Sequence, residues 1–217
     1  MSDSLILAAA SSPLISTLES DSSIQDFVYS LQSSVPIISR QRVSKSFTSP
    51  AFGATKSVSL NRYGVVYGMY LKIVVTANNA DNDATKNAFI NMVEEVTLSS
   101  HNRNLEVLTN TCNLHRIFSK PQSAREQILA VAQANGGLES FTGGLTVYVP
   151  LNFSFFNSMS TAIPVEFVEQ LEVFVKLGAA ADYFFGTGVP SITSMDLVCN
   201  YYAMSEKNMR DYLSAQY

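Results

Sequence analysis

Seven consecutive residues, Tyr70-Leu71-Lys72-Ile73-Val74-Val75-Thr76, set Leu71, Ile73 and Val75 on one side of an extended chain and Tyr70, Lys72 and Thr76 on the other. A period of two is the signature of a half-buried strand. Comparable short runs recur along the chain. One lies near Lys56–Asn61, and Val93–Ser99 and Leu105–Leu108 flank a turn at His101-Asn102-Arg103-Asn104. Leu145–Val149, Asn152–Phe156, Leu171–Leu177 and Ile192–Tyr202 follow, with Pro150 marking a bulge or an edge position between the first two. Helical signals are brief and fall between strands. Asp83 is placed to cap a short helix through Phe89 and Met92, and Leu114, Ile117 and Phe118 sit at helical spacing. After Pro121 the run from Ala124 to Ala132 is rich in helix formers and is stopped by Asn135-Gly136-Gly137. Pro164 with Glu166 and Glu169 predicts a turn or two of helix, and Ser205 caps a last helix through Met209, Tyr212 and Leu213. Eight or so short strands with helical excursions in the loops predict a mainly β chain folded as a sandwich or jelly roll. No repeat with a period of 20–50 residues is visible.

Residues 1–54 have a different texture and hold 15 of the 29 serines. Asp3, Glu19, Asp21 and Asp26 come first, then Arg40, Arg42 and Lys45, so the charge changes sign along the segment. Ser22 and Gln25 fit a capping box, and Ile24, Phe27, Val28 and Leu31 share one helical face ahead of Pro36. The segment reads either as an arm with one short amphipathic helix, ordered by a partner surface, or as a disordered tail. The expected division is an arm over 1–54 and a β domain over 55–217. Leu5–Ala10 is apolar, but Asp3 precedes it and six residues are too few for a signal core or a membrane span.

Composition narrows the function classes. The chain of 217 residues has 14 Lys or Arg and 18 Asp or Glu, a net charge of −4, and 15% charged residues, against about 25% in ordinary soluble domains. Its 57 Ser, Asn and Thr outnumber the 32 charged side chains, so the polar surface is largely neutral, while 47% hydrophobic residues suffice for a core. A sequence pI near 5.2 excludes a generally basic nucleic-acid-binding domain. Cys112 and Cys199 stand far apart with no CxxC, which fits two buried free thiols better than a zinc site or a disulfide framework, although a bridge between them stays open. His101 and His115 have no metal-ligand spacing, and Asn79, Asp81 and Asp83 lack the Gly and the Glu of a calcium loop. Gly136-Gly137, Gly143-Gly144 and Gly186-Thr187-Gly188 form neither a dinucleotide fingerprint nor a phosphate loop. Glu94 and Glu95, as strand neighbours, face opposite sides, and Glu166 with Glu169 at i, i+3 is better read as a solvated helix face than as acid and base; no nucleophile elbow occurs. No enzyme, cofactor or metal is therefore expected. Asp182 with Tyr183, Phe184 and Phe185 is the nearest approach to a glycan-binding cluster in a chain without Trp, and packing under a loop is its plainer explanation.

Several segments, taken in order, resemble the first barrel of the upright jelly-roll major capsid proteins of tailless icosahedral DNA viruses. Tyr67–Val75 is similar to the family's early strand, and Phe89-Ile90-Asn91 leading into Met92–Leu98 resembles the aromatic-x-Asn entry to the next. Val147-Tyr148-Val149-Pro150-Leu151-Asn152-Phe153-Ser154-Phe155-Phe156, then Thr161-Ala162-Ile163-Pro164 and Gln170–Val175, resembles the family's Pro-Leu-x-Phe-x-Phe strand, Pro-initiated helix and outgoing strand. Val198–Lys207 resembles the closing strand and its polar helix start. The resemblance covers about residues 56–217 and implies a single eight-stranded jelly-roll sandwich, since the chain ends after one roll where many relatives continue into a second. It implies a capsid subunit that assembles with itself and with a second capsid subunit into a virion, in the cytoplasm of the host cell. Vertex (penton) and minor capsid proteins are alternatives within that class, and a glycan- or receptor-binding jelly roll is the alternative outside it. Phe27, Val28 and Leu31, with Arg40, Arg42 and Lys45, are the expected assembly residues, tying neighbours together or meeting an internal membrane or other virion proteins. Sequence-specific nucleic-acid binding is not expected.

Overall fold

The alternation that begins the β texture is realised in the longest strands. In this computed structural model, residues 39–203, 207 and 210 are described apart from 63, 78–82, 86, 102, 133–142, 157–161, 166 and 187. Strand β3 (Val65–Ala77) buries Leu71, Ile73 and Val75 completely and leaves Tyr70, Lys72, Val74 and Thr76 partly exposed on its other side. The remaining long strands are β1 (Ser39–Ser46), β2 (Thr55–Ser59), β5 (Val93–Ser100), β6 (Arg103–Thr109), β7 (Gly143–Leu151), β9 (Leu171–Leu177) and β11 (Ser191–Ala203). Three two-residue strands accompany them: β4 (Asp83–Ala84), β8 (Ile163–Pro164) and β10 (Phe184–Phe185).

Two four-stranded antiparallel sheets carry the order β1-β11-β3-β7 and β2-β9-β5-β6, with β8 added to the end of β3. The pairing is nested. Of the eight long strands among the described residues, the first pairs with the last, the second with the seventh, the third with the sixth and the fourth with the fifth. One long antiparallel ribbon, bent at the β5–β6 hairpin and rolled up, gives this pattern, and the pairs β11·β3 and β5·β9 are the seams made by rolling. The expected eight-stranded jelly roll is therefore present.

Rolling turns one side of each strand inward. Val147 and Val149 on β7, Met195 and Leu197 on β11, Leu98 on β5 and Val173 and Val175 on β9 are fully buried with the β3 residues. Each contributes about 1.5–3 kcal/mol by leaving water. Helix α1 (Ala88–Asn91) adds Phe89 and Ile90 to this core, and α2 (Asn110–Phe118) adds Ile117. Thr109 caps α2 by accepting the Cys112 N–H at 3.3 Å. Helix α3 (Gln122–Val131) follows. Gly64 precedes β3 with φ +58°, and a Cβ there would lie 2.3 Å from the Tyr202 carbonyl oxygen, so this close approach requires glycine.

Several expectations are corrected. The boundary at 54/55 cuts through the roll, because β1 pairs with β11 over Ser39–Ser46 and the compact unit runs Ser39–Ala203. Asp83 is not a helix cap, being paired with Phe185, and Asn87 occupies the N-cap of α1 without a side-chain bond. Pro164 does not start a helix: Ile163 and Pro164 pair with Val66 and Val65, and the Val165 N–H donates to the Gly64 carbonyl. Pro150 takes the edge position of the two expected for it, since β7 runs straight through it at a sheet edge, but Ser154–Phe156 forms a 3-10 turn instead of a second strand. Lys207 and Arg210 are helical and exposed, as a last helix requires. The rest of that helix, the amphipathic helix at 22–31, the calcium-like turn at 78–82 and the stop at 135–137 lie outside the described residues.

Candidate assembly surface

Of the expected assembly residues, Phe27, Val28 and Leu31 lie outside the described residues. Arg40, Arg42 and Lys45 fall on β1, which is an edge of the first sheet. Charged edge strands discourage unguided β pairing. The alternation of β1 separates the three. Arg40 and Arg42 stand on the outer face, exposed, whereas Lys45 donates to the Ser59 carbonyl at 2.7 Å and so links the edges of the two sheets. The three cations therefore do not form one cluster.

Arg40 and Arg42 belong instead to an aromatic field across the outer face of the first sheet. The Arg40 guanidinium lies 5.5 Å from the centre of the Tyr202 ring, which stacks on Tyr67 at 3.9 Å. Arg42 lies 5.9 Å from the Tyr70 ring and donates to the Asn200 side chain at 3.4 Å, and Tyr70 meets Tyr148 edge-on at 6.0 Å. Cation–π contacts of this kind hold a guanidinium in place while leaving its outer edge free for a partner. Burial pushes the Tyr202 phenol upward against the pull of Arg40, so it stays a neutral donor. The alternation of β3 places Tyr70 here. Tyr67 arrives through a β-bulge, since the β3·β11 register shifts between Asn200 and Tyr201. Nothing in the spacing of the sequence signals that shift.

A second polar cluster holds a loop rather than offering a site. Glu106 on β6 accepts from the Ser154 hydroxyl at 2.6 Å, the Ser154 N–H at 2.9 Å and Arg116 at 2.8 Å. Arg116 also donates to the Asn152 carbonyl. Asn113 on α2 donates to the Pro150 carbonyl at 2.8 Å and accepts from the Asn152 amide side chain at 2.9 Å. Together they fasten α2 and β6 to the chain leaving β7. Burial raises the Glu106 carboxyl, but the bonds from Ser154 and Arg116 outweigh it and hold its pKa below the usual carboxylate value.

The other candidates disperse. Phe184 is buried against Phe52 and Phe89, each 5.5 Å away between ring centres, while Phe185 is exposed, so the aromatic run beside Asp182 is not one presented cluster. Glu94 pairs with Lys176 at 2.9 Å, and Glu95 accepts from Thr97 at 3.3 Å. His101 meets Glu169 at 3.2 Å on the surface. Both cysteines are free, and Cys112 is exposed on α2 instead of buried, because it faces away from the side that carries Ile117. Among the described residues no group of His, Cys, Asp or Glu is arranged to hold a metal, and no helix is long and apolar enough to cross a membrane.

No protein-family model matches the sequence, and none of the curated proteins does. Solved structures do match. The chain is similar to PBCV-1 VP54, as fitted into a reconstruction of the virophage Sputnik, with TM-score 0.62, 17% identity, and coverage of 80% of this chain and 45% of that one. A quasi-atomic model of the PBCV-1 virus capsid gives TM-score 0.60, 16% identity and coverage of 80% and 45%. The Faustovirus major capsid protein gives TM-score 0.60, 11% identity and coverage of 82% and 57%. This chain thus spans about half the length of these structures, and its fold is the jelly roll of viral major capsid proteins.

Proposed function

We propose that the chain is a capsid subunit, built into the shell of an icosahedral virion by contacts with other copies of itself. The observation that carries this reading is the nested ribbon of eight strands, whose architecture is shared with viral major capsid proteins at TM-scores of 0.60–0.62. Surface chemistry supports it. With 15% charged residues and 57 Ser, Asn and Thr, the chain can cover large areas without desolvating many Lys and Glu side chains, which is costly, while hydroxyls and amides exchange water for hydrogen bonds. A structural rather than enzymatic role is consistent with the dispersal of Glu94, Glu95, His101 and Glu169 into separate pairs. A companion capsid subunit, contact of residues 1–38 with neighbours or an internal membrane, and assembly in the host cytoplasm belong to the same proposal. Sedimentation of the purified full chain tests it: large closed particles or capsomer-sized oligomers are expected. A protein that stays monomeric through assembly conditions and binds a glycan instead would favour the binding-module alternative.

A further inference from the structure

The outer faces of the two sheets differ in charge and in relief. On the first sheet Arg40, Arg42 and Lys72 face outward with Asp196, which accepts from Ser46 at 2.6 Å. Among the described residues of this face three cations thus stand against one carboxylate, on a chain whose net charge is −4. Tyr70 and Tyr148 form a ridge across this face. On the second sheet Glu95, Glu172 and Lys176 face outward, and Glu94 joins them by its 2.9 Å pair with Lys176. Among the described residues there, three carboxylates stand against one cation. The central strand β5 carries small side chains here: Thr97, 8% exposed, lies between Phe174 on β9 and the exposed Val107 on β6, and Ser99, 5% exposed, lies between Glu172 on β9 and Asn104 on β6. This leaves a shallow trough, walled by apolar side chains at Thr97 and by polar ones at Ser99.

We propose that these faces are the two halves of one contact between copies, in which the first-sheet face of one subunit seats on the second-sheet face of the next. This deepens the capsid-subunit reading and rests on it. Opposite charge favours the pairing, whereas joining either face to its own kind would set like charges together, a repulsive arrangement. A contact between unlike faces is head-to-tail, so each copy uses both and the set closes into a ring or continues as an array. Four strands about 4.8 Å apart and about six residues at 3.4 Å per residue give a footprint of roughly 400 Å². That is small beside the ~800 Å² per partner of a typical specific interface. Single contacts are then weak, and two contacts per copy hold together what one would not.

The test uses two variants of the full chain, Arg40→Glu with Arg42→Glu, and Glu95→Lys with Glu172→Lys, each checked by thermal melting for an intact fold. Neutral counterparts, Arg40→Gln with Arg42→Gln and Glu95→Gln with Glu172→Gln, serve where a reversal disturbs folding. Sedimentation velocity should show each reversed variant associating at least tenfold more weakly than wild type, and each neutral variant less so. An equimolar mixture of the two reversed variants should recover association, because every unlike-face contact between them is again complementary. Failure of the mixture to recover while both components melt like wild type overturns the contact, as does loss of association in only one variant, which marks a contact between like faces. A wild type that assembles while both reversed variants assemble equally overturns the contact alone. A wild type that never associates overturns the capsid-subunit reading with it.

Discussion

Replacing Glu106 by Ala removes the acceptor for Ser154 and Arg116 and leaves their N–H groups at a site where the Glu106 side chain is 13% and the Arg116 side chain 34% exposed. Hydrogen bonds to a charged group are worth about 1.5–3 kcal/mol each. Arg116 can recover part of its loss by turning to water and keeps the Asn152 carbonyl, so the net cost is about 2–3 kcal/mol. For a domain of this size each kcal/mol lowers Tm by about 2–4 °C, and a drop of about 5–10 °C at pH 7 is expected. Glu106→Gln, which keeps an acceptor but no charge, should lose about half as much. The pH dependence has a definite sign. The carboxyl titrates lower in the folded chain than the ordinary value of 4.5, so its contribution is complete above pH 4.5 and fades as the pH falls through the folded value. The gap in Tm between wild type and Glu106→Gln should narrow over that range. Differential scanning calorimetry from pH 7 to pH 3.5, with a double-mutant cycle against Arg116→Ala, measures both effects. Melting of Glu106→Ala within about 2 °C of wild type at pH 7, or a gap that widens on acidification, would refute the reasoning.

Other outcomes follow from the same structure. Removing residues 1–38 should leave a soluble, folded subunit by circular dichroism, whereas removing 1–46 takes away β1, exposes Asp196–Ala203 of β11 as an open edge and should yield aggregate by light scattering. Phe184→Ala should cost about 3–5 kcal/mol in urea unfolding, while Phe185→Ala, at an exposed position, should stay within about 0.5 kcal/mol. Cys112 is exposed and should react promptly with a disulfide reagent at pH 8, while Cys199, whose thiol is pushed up to about 12 by burial, should react only after unfolding.

The strands that could be read from sequence are those with one buried and one wet face. β3 declares itself through Leu71, Ile73 and Val75, and β5 with β6 through apolar residues on either side of a short turn. β1 could not, because Ser39-Arg40-Gln41-Arg42-Val43-Ser44-Lys45-Ser46 has one apolar residue and none of its side chains is fully buried. As an edge strand it draws its order from the ladder with β11, which a hydropathy pattern does not register. Pro164 and Asp83 were misleading for a related reason, since a turn residue and a capping residue by type are both held in short strand pairs by distant partners. Asn152–Phe156 looks like a strand by composition, yet Asn113 and Glu106 draw its backbone away from the sheet into a 3-10 turn. Arg40 and Arg42 were visible as charge, but their setting was not, because Tyr67 and Tyr202 meet only through the bulge in β3·β11.

Electron cryomicroscopy of particles assembled from the full chain, or isolated from its source, tests the capsid-subunit reading most directly. That reading predicts a closed icosahedral shell in which density for the roll of residues 39–203 repeats at every lattice position, first-sheet face against second-sheet face. Particles in which this density is absent from the shell, or is found only on projecting spikes, would contradict it.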